Sequence, residues 1–141
     1  MADARSGRGE RPQRPLSPHL QIYKPLINMV MSILHRITGV ALYVGTLLLA
    51  WWLIAAATGP DYFDYVSSWF AAWYGKLVLI GYTWALLHHM LGGLRHFLWD
   101  TGRGYDLQVI DQLSWGSIIL SLLLTGAVWF FAASHAGGVS P

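Results

Sequence analysis

The sequence predicts an all-α membrane protein built from three transmembrane helices, and three observations carry that prediction. Hydrophobic residues fill 55% of the 141 positions and charged residues only 11%, where soluble domains carry about 25% charged residues. Three uncharged runs, Ile37 to Ala57, Leu77 to Leu94 and Trp115 to Ala133, each approach the ~20 residues needed to cross ~30 Å of hydrocarbon. The runs are continuous, without the alternation of a barrel strand, and a bilayer leaves no water for backbone groups outside a helix or closed barrel.

The elements follow in order. The opening stretch "MADARSGRGERPQRPLSP" has no apolar core and so is no secretory signal; Gly, Pro, Asp3 and Glu10 also make it a poor organellar presequence. Residues 1–17 read as a disordered cytoplasmic tail and 18–141 as one three-helix domain, with spans at about 30–57, 68–100 and 113–134. Arg5, Arg8, Arg11, Arg14, Lys24 and Arg36 precede the first span, and Arg95 and Arg103 flank the loop after the second. Lys76 stands alone on the other side, so the N-terminus is expected in the cytoplasm and the C-terminus in the periplasm. Trp51, Trp52, Trp69, Trp73, Tyr74 and Trp129 are expected as outer interfacial anchors, and Trp99, Tyr105 and Trp115 as inner ones.

With no cysteine, the chain has neither disulfides nor thiolate metal ligands. The pI near 9.1 reflects the tail and the positive-inside bias, and nothing else supports nucleic-acid binding. Three helices cannot enclose a large cofactor and shield polar side chains on several faces, so a partner chain is expected. Each span offers small residues for close helix approach: Gly39, Ala41 and Gly45; Gly81, Gly92 and Gly93; Gly116, Ser121, Thr125 and Gly126.

The chemistry concentrates in "HHMLGGLRHFLWD", residues 88–100. Histidine inside a membrane helix is costly and is a functional candidate by default. His88 and His89 point roughly 100° apart, so they cannot both face one site. His89 shares its face with Gly92, Gly93 and His96, where a flat recess would admit a planar macrocycle. Counted from Arg95, which is expected to reach the headgroups, His89 lies about 9 Å deeper. A lone imidazole there leaves its N–H unsatisfied at a cost of a few kcal/mol. Haem-iron ligation by one nitrogen with a hydrogen bond on the other resolves this; so does a plain inter-helix bond from His89 to Thr46 or Ser121.

A second cluster opens span one in "SILHRITG", residues 32–39. Ser32 and Arg36 share a face beside His35. Arginine there can pair with a haem propionate and the serine hydroxyl can bond a quinone carbonyl; a helix cap and a snorkelling arginine are the plainer reading. Counting places His35 level with Arg95 and well above His89, so the two imidazoles are not expected to grip one iron, and the second ligand should come from another polypeptide.

"RPLSPHLQIYKP", "SILHRITGV" and "HMLGGLRHFLWD" together resemble the cytochrome b membrane-anchor subunit of succinate dehydrogenase, respiratory complex II, over Arg14 to Asp100 and by topology through the third span. The resemblance implies a multi-pass protein of the bacterial inner membrane. It implies His89 as an axial ligand of haem b, with His35, Arg36 and His96 near its propionates, and Ser32 and Arg36 at the ubiquinone site. It implies a second small anchor subunit supplying the other axial histidine, an iron–sulfur subunit that Ser17 to Lys24, including His19 and Tyr23, would touch, and a flavoprotein subunit. The chain would then be a part of an oxidoreductase that lacks the catalytic centre itself. Asp100 is a candidate proton relay. Two alternatives stay open, a haem-free structural anchor and the cytochrome b subunit of another respiratory dehydrogenase. A channel subunit fits poorly, because the outer half of each span carries no charge to continue a pathway.

Overall fold

The computed structural model describes residues 24–136; the tail, His19 and Tyr23 lie outside the described residues. Among the described residues four helices follow one another: α1 (Ile27–Thr58), α2 (Pro60–Ala71), α3 (Trp73–Asp100) and α4 (Leu107–Ala136). α1, α3 and α4 are each long and apolar enough to cross a bilayer, which gives the all-α, three-span architecture. α3 is the centre of the bundle, packing against both α1 and α4, and it is the most enclosed of the three.

The second span begins later than the expected residue 68. Residues 60–71 form a separate helix, and Ala72 breaks it from α3 with extended angles (φ −63°, ψ 156°). The reversal is tight enough that a side chain on Gly75 would collide with the Trp69 carbonyl and the Phe70 backbone, so the corner depends on glycine there. No sharp change of composition marks this break, because aromatic residues run through it.

α2 starts on Pro60 after Gly59, whose φ of 149° suits glycine, and proline at the first helical position gives up an N–H that would be unpaired anyway. It buries Val66. It is tied to α1 by Trp51 Nε1 donating to the Tyr62 hydroxyl at 2.9 Å and by Trp52 against Phe63 at 5.4 Å.

α4 also extends beyond the apolar run, starting at Leu107 where 113 was expected. Its first turns hold Gln108, Asp111 and Gln112, all exposed, so the backbone keeps its helical bonds while the side chains are solvated. The α3–α4 turn spends Gly102 and Gly104 at φ +75° and +80°, where other residues would be strained.

Candidate functional site

Several hydroxyls inside the spans share one arrangement. A serine or threonine hydroxyl gives its only proton to a carbonyl of its own helix, and the oxygen is then left to accept from an N–H on a neighbouring helix. Ser121 donates to Ile118 O at 2.8 Å and accepts from Trp84 Nε1 at 3.1 Å and His88 Nδ1 at 3.3 Å. Ser114 donates to Ile110 O at 2.7 Å and accepts from Arg95 Nη1 at 3.1 Å. Thr83 donates to Leu79 O at 2.8 Å and accepts from Trp129 Nε1 at 3.3 Å. These bonds tie α3 to α4 between Thr83 and Arg95 on one helix and Ser114 and Trp129 on the other.

The α1–α3 contact is built around His89. Its Nδ1 lies 3.1 Å from the His35 carbonyl oxygen and 3.3 Å from Thr38 Oγ1. A carbonyl can only accept, so Nδ1 carries the proton and Nε2 holds the lone pair. Among the described residues Nε2 has no hydrogen-bond partner. The His35 ring stacks on His89 at 3.9 Å and 6° between planes, and a Cβ on Gly39 would stand 3.1 Å from His89 Cε1. One turn of α1, residues 35–39, thus touches the imidazole on its face, its edge and its Nδ1.

Several expectations change here. His89 bonds neither Thr46 nor Ser121; Ser121 serves His88, and Thr46 only back-bonds to Leu42 O. Half of the glycine recess is filled, since a Cβ on Gly92 would meet His35 Nδ1 at 2.5 Å, while Gly93 faces open space. His35 does not lie level with Arg95 and far above His89, because its ring sits between His89 and His96, whose centroid is 5.4 Å away. Counting from the interface misplaces it by about a turn. Face-to-face rings still cannot approach one iron from opposite sides.

Arg95 does not snorkel either. It is 6% exposed, bonded to Ser114, and its guanidinium lies 4.9 Å from the Trp99 ring centroid, a cation–π contact that helps offset burial. Trp129 donates Nε1 to Thr83 at 3.3 Å.

The other candidates spread outward from this cluster. His96 is exposed and edges Trp99 at 5.3 Å. Ser32 and Arg36 are exposed on α1, and Asp100 is the exposed last residue of α3. Thr38, 1% exposed, is a member of the site that sequence reasoning missed; its signal is a hydroxyl three residues after His35 and beside Gly39. An apolar groove of ≈ 780 Å³ runs between α1 and α3 from Thr38 and Ala85, one turn from His89, past Gly45 and Tyr82.

No group of three or more His, Asp or Glu side chains forms a metal cluster among the described residues, and a haem axial position asks only one imidazole of this chain. That imidazole fits, with Nδ1–H satisfied by a carbonyl and Nε2 left available.

A three-span helical bundle that holds several imidazoles inside its spans is a polytopic membrane protein with buried polar chemistry. A family model described as the succinate dehydrogenase/fumarate reductase transmembrane subunit matches residues 10–128. The chain is 41% identical to the succinate dehydrogenase cytochrome b556 subunit of Paracoccus denitrificans, covering 87% of this chain and 94% of that one. It is 38% identical to the cytochrome b556 subunit of Rickettsia prowazekii (83% and 91% covered) and 33% identical to the mitochondrial cytochrome b560 subunit of Mus musculus (82% and 69%). The chain belongs to the succinate dehydrogenase cytochrome b membrane-anchor family. It is a multi-pass protein of the bacterial inner membrane.

Proposed function

We propose that this chain is the anchor subunit of a succinate:quinone oxidoreductase, holding haem b between itself and a second small anchor subunit and forming part of the ubiquinone-reduction site. The observation that carries the haem reading is the half-buried His89 imidazole, whose Nδ1–H is held by the His35 carbonyl at 3.1 Å and whose Nε2 has no hydrogen-bond partner among the described residues. Bound haem supplies a one-electron carrier.

The residues of this chain have separable tasks. His89 would hold the haem iron from this chain, and a histidine of the partner anchor would hold it as well. His35, Arg36 and His96 favour the propionates by charge and hydrogen bonding. Ser32 and Arg36, exposed at the start of α1, offer a hydroxyl donor and a cation to the quinone carbonyls. Asp100, exposed at the end of α3, relays protons toward the reduced quinone. Residues 1–17 form the cytoplasmic tail and 18–141 the anchor domain, with the N-terminus cytoplasmic and the C-terminus periplasmic. His19 and Tyr23 meet the iron–sulfur subunit, which receives electrons from the flavoprotein. A Cβ on Gly81, Gly93, Gly116 or Gly126 would meet nothing within 4 Å among the described residues, which leaves room for a neighbouring helix or lipid.

Pyridine haemochrome analysis of the purified complex tests the reading. The wild type is expected to carry haem b, and His89→Ala to lose it while the four subunits still co-purify. Full haem in His89→Ala would overturn the ligand assignment. Asp100→Asn is expected to slow quinone reductase turnover and alter its pH profile; an unchanged profile removes the relay role.

A further inference from the structure

We propose that Thr38 is a positioning residue for the haem ligand: its hydroxyl oxygen shares the His89 Nδ1 proton with the His35 carbonyl and so sets the ring orientation and donor strength of the imidazole. The proposal rests on the reading of His89 as an axial ligand. Thr38 is 1% exposed. Its Oγ1 lies 2.8 Å from Leu34 O and 3.0 Å from His35 O, either of which takes the hydroxyl proton, and 3.3 Å from His89 Nδ1. With its proton committed to its own helix, the oxygen can only accept from His89. The same arrangement recurs where Ser121 receives His88.

Outer hydrogen bonds of this kind raise the basicity of a ligating imidazole and hold its plane. Removing the Thr38 oxygen leaves the His35 carbonyl as the only acceptor. The imidazole becomes a poorer donor, so the ferric state loses more stabilisation than the ferrous state and the haem midpoint potential rises.

The test uses the complete purified complex, with redox titration of the haem, its low-spin electron paramagnetic resonance signal and its rate of haem loss as readouts. Thr38→Val, nearly isosteric, is expected to raise the midpoint, shift the low-spin signal and speed haem loss by about tenfold. Thr38→Ala is expected to do the same, and Thr38→Ser to restore wild-type values. Thr46→Val removes an equivalent back-bond on the same helix, to Leu42 O, with no imidazole above it, and is expected to leave the midpoint unmoved. If Thr38→Val and Thr38→Ala keep the wild-type midpoint and signal while His89→Ala loses haem, the positioning role is wrong and the ligand assignment stands. If His89→Ala keeps its haem, both fall.

Discussion

His88 and His89 are adjacent in sequence and differ in almost everything that matters. His88 faces α4, is 1% exposed, stacks on Trp84 at 5.2 Å and gives its Nδ1–H to Ser121. His89 faces α1, is half-buried, and gives its Nδ1–H to a backbone carbonyl and a threonine; in both rings Nε2 has no hydrogen-bond partner among the described residues. About 100° of helix rotation separates an imidazole fully enclosed against α4 from a half-buried one against α1. In a membrane the identity of the residue says little about its task; the helix it faces and how deeply it is buried decide it.

The sharpest way to break this contrast is to remove each ring in turn. His89→Ala is expected to abolish the haem absorbance of the complex, whereas His88→Ala should keep it and lower thermal stability by about 1–2 kcal/mol, the scale of an inter-helix bond in lipid. Visible spectra and melting of the purified complex check both. Loss of haem in His88→Ala with retention in His89→Ala would reverse the assignment.

The acceptors come next. Ser121→Ala orphans two donors, Trp84 Nε1 and His88 Nδ1, and is expected to cost about 1–2 kcal/mol in a thermal melt. Ser114→Ala leaves Arg95 with an unmatched Nη1 and should cost about 1 kcal/mol, again without loss of haem. The smallest effect is expected from Gly39→Ala, whose methyl would press His89 Cε1 from 3.1 Å. It should shift the haem spectrum slightly while the melting temperature stays near wild type.

Much of this is legible in the sequence, for definite reasons. Spans betray themselves by length without charge, and the 100° step between neighbouring helical residues is enough to separate His88 from His89. The misplacements share one cause. Depth counted along a single helix from its interfacial end goes astray when Arg95 turns inward to Ser114 and His35 slides to the level of Gly92. The register of one helix against another is set by packing at Gly39, Gly45 and Gly92, where a Cβ would strike His89, Tyr82 and His35 respectively. Thr38 stays hidden because a hydroxyl bonded back to its own helix leaves no trace in composition. The Ala72 break is hidden because aromatic residues continue through it.

α3 carries both adjacent histidines and Arg95, and its mean hydropathy of 1.4 falls below the 2.0 of α1 and α4. During synthesis it leaves the ribosome after one helix that bonds its imidazole and before the other that bonds its guanidinium. The least lipophilic segment therefore depends on its siblings for a settled place in the bilayer. Biogenesis of the middle helix is complete only when the last one has been made and folded back against it.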